Sequence, residues 1–374
     1  MRYFYYNPFT QYENMGDLLI NKSLLDLLRP YGTVIIDDLN KPKWFIDELR
    51  QQPDMVVSET WSNRIDNYFE GCLLKNRRQD DVFYQVFVPG DKSRKGFKKA
   101  LSSLKHFYKL VKQKQMGCKS IRLGFSIGDF DAANLVTESL YSTAFHAYGI
   151  RDSLSMDKAR KFRFSNTVFF PDLAWAYKER NRSVPNPFKE TGKYIVLSFR
   201  ANKVSTIHQS SYLVTIMDKL KKLLSASLFE GIKIVISYQV KFDRDACIEL
   251  RDALQDNLDV YFLDRLLAIE EAISLYRGAE SVISNRLHVL LLASISEGLA
   301  IPFVNAGDNK KIIGTYRDND LSDIVIDYTE SDVGNLRKMQ DAVAAKELIL
   351  KRLAMKKSDN TSLIKSTLNA VISN

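Results

Sequence analysis

The sequence predicts an α/β protein with two domains, each built on a parallel sheet. Its 374 residues exceed the size of an average domain and allow two of roughly 150 to 180 residues each. Short β-branched runs alternate with stretches of helical spacing, which is typical of parallel sheets covered by helices. A polar stretch over 177–193 contains prolines and a glycine but no periodicity, and it indicates a linker. We therefore expect a first domain over 1–178, a linker over 179–192 and a second domain over 193–334.

The first domain opens with a strand over 1–6. A tight turn at Asn14 and Gly16 then leads to a helix with a leucine-rich face, and strands are expected over 33–38 and 55–58. The spacing predicts a long helix over 92–116 and a strand over 120–127. A strand that ends at Ile150 and a helix that begins at Ser155 or Asp157 follow, and the last strand end lies over 169–175.

Asp129 and Asp131 form an Asp-x-Asp pattern, which holds a metal and a nucleotide diphosphate in some glycosyltransferases. The pattern is common, and either aspartate can cap the helix that begins near Ala132. We interpret the pair as helix caps and expect no metal site.

Positive charge is concentrated in one segment of the chain. The net charge is +9, and the segment 75–119 alone holds thirteen Lys and Arg against three Asp. No nucleic-acid-binding motif accompanies this charge, so nucleic acid is not an expected partner. Two interpretations of the basic helix over 92–116 remain open: a core-facing helix with a solvated lysine face, and a helix whose lysines meet an anionic membrane.

Composition and cysteine usage indicate an ordinary globular protein of the cytoplasm. Hydrophobic residues make up 45% and charged residues 26% of the chain, and no run approaches the roughly 18 apolar residues of a membrane span. The aromatic N-terminus is interrupted by Arg2, Asn7 and Pro8, unlike a signal peptide. The three cysteines, widely separated, suggest neither a disulfide framework nor a zinc site.

The second domain begins with a strand over 194–199, followed directly by Arg200. Helices over 212–224 and 243–255 alternate with strands over 233–237 and 260–263. After residue 327 the chain is helical in pattern, over 330–355 and 361–372.

The most informative stretch of the sequence runs from 268 to 314. It predicts a helix over 268–276, a strand over 281–284, a helix capped by Ser284 or Asn285, and a strand over 301–304. Arg286 and His288 then fall in the first helical turn, where free backbone N–H groups and the helix dipole favour an anion. A phosphate or a carboxylate is the natural ligand.

Several motifs together resemble the polysaccharide pyruvyl transferase family. They are Ser-Asn-Arg-Leu-His over 284–288, Lys311 with Gly314, Asn-x-Gly-Asp over 14–17, Arg-Asp-x-x-Ser from Arg151 to Ser155, Pro171 with Asp172, and Ser-x-Arg over 198–200. The resemblance implies two Rossmann-like domains whose parallel sheets face a central cleft, as in GT-B glycosyltransferases, with C-terminal helices over 335–374 that cross back to the first domain. It also implies transfer of pyruvate from phosphoenolpyruvate to two sugar hydroxyls as a ketal, in bacterial surface polysaccharide or exopolysaccharide biosynthesis.

The resemblance assigns residues to the two substrates. Phosphoenolpyruvate carries a phosphate and a carboxylate, which arginines grip bidentately, and the donor site is expected in the second domain. His288 is the expected acid for proton transfer, with Arg286 beside it as a catalytic residue. The expected donor-binding residues are Arg200, Arg286, Leu287, His288, Arg151 and Lys311, and the expected acceptor-side residues are Asn14, Asp17 and Asp172.

The expected partners are phosphoenolpyruvate as donor substrate, with no cofactor, and a sugar or lipid-diphosphate-linked glycan as acceptor. Two other functions remain open. The first is a GT-B glycosyltransferase, which would use a nucleotide sugar. A glutamate at the end of a strand would favour it, but 281–298 contains only Glu297, at the far end of its helix. A noncatalytic relative that binds a glycan or a partner enzyme is the other.

Overall fold

The computed structural model describes residues 1–60, 78, 80–200 and 209–373. Cys72 and His208 lie outside the described residues. The chain divides into two compact units. The first comprises Met1–Tyr12, Asp17–Tyr177 and Asn360–Asn374, and the second comprises Glu13–Gly16 and Lys178–Asp359.

The first unit is built on a parallel sheet with strand order β3-β2-β1-β4-β6-β7-β8, while β5 pairs with β6 beside β4. Its strands are β1 (Arg2–Tyr6), β2 (Thr33–Ile36), β3 (Met55–Val56), β4 (Val82–Phe87), β5 (Gly90–Arg94), β6 (Cys118–Phe130), β7 (Ala147–Ile150) and β8 (Thr167–Phe169). The described helices are α1 (Met15–Leu28), α2 (Lys43–Leu49), α3 (Val57–Thr60), α4 (Phe97–Gln115), α5 (Ala132–Ser142) and α6 (Ser153–Lys161). Central strands such as β7 are buried throughout, as expected for a sheet covered on both faces.

The predicted helix over 92–116 is wrong at its N-terminal end. Residues Gly90–Arg94 form β5, and α4 begins only at Phe97. The Lys92 side chain is 12% exposed, forms an ion pair with Glu138 and lies 4.6 Å from the centre of the Tyr141 ring. Burial holds the pKa of the Lys92 amine well below its usual value. Lys92 can therefore lie in the sheet, because its apolar stem packs there and its amine is paired with the buried Glu138 carboxylate.

Two element boundaries in the first unit differ from the predicted ones. The predicted strand over 55–58 ends at Val56, because the backbone turns into α3 at Val57. The helix α6 begins at Ser153, ahead of Ser155 and Asp157, since Asp152 is its N-cap and accepts a hydrogen bond from the Ser155 N–H at 2.7 Å.

The capping role expected for the Asp-x-Asp pair is confirmed for Asp131. Its carboxylate accepts hydrogen bonds from the backbone N–H groups of Asn134 (2.9 Å) and Gly96 (2.6 Å). These bonds lower the pKa of Asp131. Asp129 pairs with Lys95 at the surface.

The second unit is a six-stranded parallel sheet in the order β11-β10-β9-β12-β13-β14. Numbered from the start of the unit, this is the doubly wound order 3-2-1-4-5-6, which defines a Rossmann-like sheet. Its strands are β9 (Tyr194–Ser198), β10 (Lys233–Ile236), β11 (Val260–Phe262), β12 (Val282–Ser284), β13 (Ala300–Val304) and β14 (Ile326–Asp327). Its helices are α7 (Gln209–Leu224), α8 (Arg244–Leu254), α9 (Ile269–Gly278), α10 (Leu287–Ile295), α11 (Lys310–Asp318) and α12 (Asp332–Ala344).

The last helix, α13 (Lys346–Ser373), begins in the second unit and ends in the first. The expectation that residues 335–374 complete the first domain is therefore too wide, because the second unit extends to Asp359. Ion pairs along α13 explain the difference: Lys346 pairs with Glu280 (3.2 Å) and Arg352 with Asp323 (2.6 Å), both within the second unit. No described helix is both long and apolar enough to cross a bilayer.

Candidate active site

The carboxyl ends of β9 and β12 form the switch point of the second sheet. These strands are neighbours, and the chain leaves them toward opposite sides of the strand order. Open α/β sheets bind their ligands at this point. Arg200 follows β9 and Arg286 follows β12, so two of the sequence-predicted cations flank it.

Side-chain hydrogen bonds hold these two strand ends together. The Ser284 hydroxyl donates to the carbonyl of Ser198 and accepts from the backbone N–H of Arg286 at 2.9 Å. Asn285 accepts a hydrogen bond from the backbone N–H of Arg200 at 2.8 Å. Ser284 and Asn285 are fully buried, so the backbone positions of both arginines are fixed by groups that water does not reach.

Arg286 is the N-cap residue of α10 and has an extended backbone (φ −107°, ψ 118°). The prediction that Ser284 or Asn285 caps this helix is wrong by one or two residues, because Ser284 bonds the strand ends and Asn285 bonds Arg200. Arg286 therefore precedes the first turn, whereas Leu287 and His288 lie within it. The helix itself offers no acceptor to the N–H groups of that turn.

Asp243 is a buried partner of the Arg286 guanidinium that sequence reasoning missed. One Nη of Arg286 forms an ion pair with Asp243, whose side chain is 1% exposed. The Arg286 Nε is buried and has no hydrogen-bond partner among the described residues. Asp243 follows the carboxyl end of β10 by seven residues and immediately precedes α8. A search for carboxylates after each predicted strand could have found it.

A second side-chain contact connects Arg200 to α11. The guanidinium of Arg200 donates from Nη2 to the Asn309 side chain at 2.9 Å, and Asn309 is the N-cap of α11. Lys311 lies in the first turn of that helix and is half-buried. Arg200 and the start of α11 are thus joined at the carboxyl edge of the sheet.

The turn that contains Asn14 and Gly16 packs against His288. The Asn14 side chain accepts hydrogen bonds from the Gly16 N–H (2.9 Å) and from the Gln239 amide (3.0 Å). A Cβ at Gly16 would lie 2.5 Å from His288 Nδ1 and 2.8 Å from its Cβ, and it would also collide with Gln239. Only glycine permits this approach. Asn14 was predicted on the acceptor side, and the structure groups it with the second unit.

Arg151 and Asp172 form a closed network in the first unit. Arg151 donates to the Ser126 hydroxyl (2.6 Å) and pairs with Asp172 (2.7 Å), and both side chains are at most 6% exposed. The other oxygen of Asp172 accepts from the Ala174 N–H at 2.9 Å. Arg151 thus connects Ser126 within β6, the carboxyl end of β7 and Asp172 after β8.

Asp17 also has partners within the first unit. It lies in the first turn of α1 and accepts hydrogen bonds from the Thr10 hydroxyl (2.5 Å) and the Gln11 N–H (3.2 Å). Among the described residues, no cluster of three or more His, Cys, Asp and Glu side chains is placed to hold a metal ion.

All but one of the motifs lie within a single matched region of the sequence. A family model described as polysaccharide pyruvyl transferase matches residues 14–306, which is more than half of the chain. The chain belongs to this family. No curated protein matches it by sequence. The matched region includes the candidate residues of this chain from Asn14 to His288, whereas Lys311 lies beyond it.

Several solved structures have a similar fold, UDP-GlcNAc 2-epimerases among them. The chain is similar to UDP-GlcNAc 2-epimerase from Neisseria meningitidis, bound to UDP-GlcNAc (TM-score 0.61, 10% identity, 100% of this chain and 99% of that one). It is also similar to Anabaena HepE in complex with UDP and glucose (0.58, 12%, 99% and 100%) and to Staphylococcus aureus MnaA with UDP (0.56, 10%, 98% and 96%). At these identities the likeness shows the fold alone. The fold is GT-B-like, with two Rossmann-like domains.

Proposed function

We propose that the protein transfers pyruvate from phosphoenolpyruvate to two hydroxyls of a glycan, forming a ketal for a bacterial surface polysaccharide or exopolysaccharide. The observation that carries the proposal is the set of cationic side chains at the carboxyl edge of the second sheet. Arg200 and Arg286 flank its switch point, and Lys311 lies in the first turn of α11. A ligand with two anionic groups on adjacent atoms needs several such cations.

The electrostatics at Arg286 suit an anionic ligand that can be released. Asp243 balances part of the guanidinium charge, so a lone buried cation does not have to be maintained when the donor is absent. The Arg286 Nε, which is buried without a partner among the described residues, supplies a donor for a carboxylate or phosphate oxygen. A buried polar atom of this kind is usually satisfied in the functional state.

The reaction needs one proton delivered to the methylene carbon of phosphoenolpyruvate. We assign this step to His288, in the first turn of α10. Protonation makes the central carbon electrophilic, and one sugar hydroxyl adds to it. The second hydroxyl then displaces phosphate. Of the two hydroxyl protons released, one replaces the proton that His288 gave up and the other leaves with hydrogen phosphate.

The turn at Asn14 positions the proposed acid. Gly16 lets the backbone approach the His288 ring, and Gln239 holds the Asn14 side chain that shapes the turn. A proton donor must be placed within a few tenths of an ångström to be effective, since a misplacement of about 1 Å can cost about 10²-fold in rate. We propose that this turn keeps the imidazole in place.

The proposed setting is the cytoplasm, where phosphoenolpyruvate is made, at the inner face of the membrane if the acceptor is a lipid-diphosphate-linked glycan. No resident cofactor enters the proposal, because phosphoenolpyruvate is itself the activated donor. Arg151 remains a predicted donor-binding residue, and Asp17 and Asp172 remain predicted acceptor-side residues.

Ligand-induced stabilisation tests the proposal directly. A ligand that binds only the folded state raises the melting temperature by mass action, so phosphoenolpyruvate should raise it while UDP and UDP-GlcNAc should not. Arg286→Ala should abolish the shift, and Arg251→Ala should keep it, because Arg251 is a half-buried arginine of α8 that pairs with its neighbour Asp252. Stabilisation by UDP instead would support a nucleotide-sugar glycosyltransferase.

A turnover assay separates an enzyme from a noncatalytic relative. Phosphate release from phosphoenolpyruvate would be measured with a panel of soluble oligosaccharides, and the products would be examined by mass spectrometry for an added pyruvate ketal. Release that depends on an oligosaccharide supports the transferase. Stabilisation by phosphoenolpyruvate without release on any oligosaccharide or on an isolated lipid-linked glycan fraction would favour the noncatalytic alternative.

A further inference from the structure

The helix α4 has an exposed stripe of apolar side chains. Phe97 and Tyr108 are each 71% exposed and Leu101 is 50% exposed. At 100° per residue, these three positions lie within about 40° of one another around the helix axis. The interpretation of a core-facing helix does not hold for these three positions, because the residues that α4 buries are Ala100, Ser103, Leu110 and Gln113. These lie on roughly the opposite side of the helix.

Lysines lie along one side of the exposed stripe. Lys98, Lys105 and Lys109 are exposed and lie about 60 to 100° from its centre. The helix holds six lysines and no acidic residue. The nearby acidic groups are already engaged, since Asp129 pairs with Lys95 and Asp131 accepts from the Gly96 N–H.

The neighbouring helix exposes further apolar side chains. Val136 and Leu140 of α5 are 65% and 42% exposed, one helical turn apart, and α5 packs against α4. Isolated exposed apolar residues are normal, whereas a grouped set bordered by charge of one sign marks an interaction surface.

We propose that α4 docks the protein on an anionic lipid bilayer. An in-plane helix of this kind inserts aromatic and leucine side chains at the level of the headgroups, while its lysines contact acidic lipids. Charge complementarity selects the bilayer as the occupant: an uncharged protein groove would match the stripe but not the lysines beside it. The proposal concerns the first unit alone and does not depend on the chemistry assigned to His288.

Vesicle sedimentation tests the docking. The full-length protein should sediment with phosphatidylserine-containing vesicles and not with pure phosphatidylcholine vesicles. Binding should fall as salt rises, because the Debye length shortens from about 30 Å at 0.01 M to about 10 Å at 0.1 M. Equal sedimentation with both kinds of vesicle, or with neither, would overturn the proposal.

Two sets of substitutions show whether vesicle binding depends on the lysines of α4 or only on the net charge of the protein. Replacing Lys98, Lys105 and Lys109 together by Gln should weaken binding about a hundredfold, since each lysine near an acidic surface contributes about fivefold. The control replaces the exposed Lys189, Lys351 and Lys365 by Gln, which changes net charge equally and should leave binding nearly intact. An equal loss in both sets would show nonspecific attraction and refute a docking helix.

The apolar stripe has its own test. Phe97→Ser with Tyr108→Ser should reduce binding to anionic vesicles while circular dichroism and the melting temperature stay unchanged, because both side chains are exposed. If this variant instead abolishes a concentration-dependent dimer seen by analytical ultracentrifugation and leaves vesicle binding intact, the stripe is covered by a second copy of the chain and the membrane proposal fails.

Discussion

Arg151 and Arg286 each lie just beyond the carboxyl end of a parallel strand, and each pairs with a buried aspartate, yet their surroundings differ. The Arg151 side chain is 6% exposed and bonds both Ser126 and Asp172. Its partner Asp172 uses its second oxygen to cap the next helical turn. Arg286 is 18% exposed, and its Nε has no partner among the described residues.

This difference shows that residues of one sequence motif set need not share one role. A closed network of buried charges fixes the strand ends of the first unit, whereas the second unit keeps donors that can bind a ligand. Substitutions in the two units should therefore change different measured quantities: stability in the first and donor binding or turnover in the second.

The largest effect is expected at His288. His288→Gln should lower turnover by about 10²- to 10⁴-fold, the usual contribution of a positioned acid or base. Stabilisation by phosphoenolpyruvate should be largely retained, because glutamine keeps a hydrogen-bonding group there. Steady-state kinetics beside thermal shifts would measure both. Near-normal turnover would exclude proton transfer by His288.

Arg151→Met should act on folding. It leaves the Asp172 carboxylate buried without its cation, which typically costs about 3 to 5 kcal/mol of unfolding free energy. Chemical denaturation would measure the loss, and Arg151→Met combined with Asp172→Leu should recover much of it. Unchanged stability together with lost phosphoenolpyruvate binding would instead make Arg151 a ligand-binding residue, as the family resemblance implies.

Most of the second sheet could be predicted from its sequence, because each buried strand is a short β-branched run next to a helix of clear periodicity. The first unit was harder to predict. β5 could not be predicted because its residues Gly90–Arg94 are polar. Lys92 is held in this strand by contacts with Glu138 and Tyr141, which lie far from it in the sequence. The apolar residues of α4 likewise suggested a core face, whereas packing selected the face with Ala100 and Leu110.

The candidate site shows the same limit. Local motifs found Arg200, Arg286 and His288, because each follows a strand or starts a helix. Asp243 and Gln239 could not be found in this way. Nothing near them in the sequence indicates that Asp243 pairs with Arg286 or that Gln239 bonds Asn14. Contacts between residues more than 200 positions apart, as between Asn14 and Gln239, follow from the fold and carry no local signal.

Gly16→Ala should have a smaller effect than either preceding change. The added methyl group displaces the His288 ring, and a shift of about 1 Å would lower turnover by about 10²-fold. The double variant Gly16→Ala with Gln239→Ala removes one of the two collisions and should remain slow. Full recovery in that variant would show that Gln239, and not His288, transmits the effect.

The smallest expected effect compares one buried cysteine in each unit. Burial raises the pKa of both Cys118 and Cys247 to about 12, so either thiol should react with alkylating reagents only when its unit opens. In a Cys72→Ser background, phosphoenolpyruvate at ten times its Kd should slow the labelling of Cys247 about tenfold by mass action. The proposed donor site lies in the second unit, and Cys247 lies there about one helical turn after Asp243. Labelling of Cys118, in the first unit, should therefore be unaffected. Equal protection of both thiols would mean that the units open together, and protection of Cys118 alone would move the donor site to the first unit.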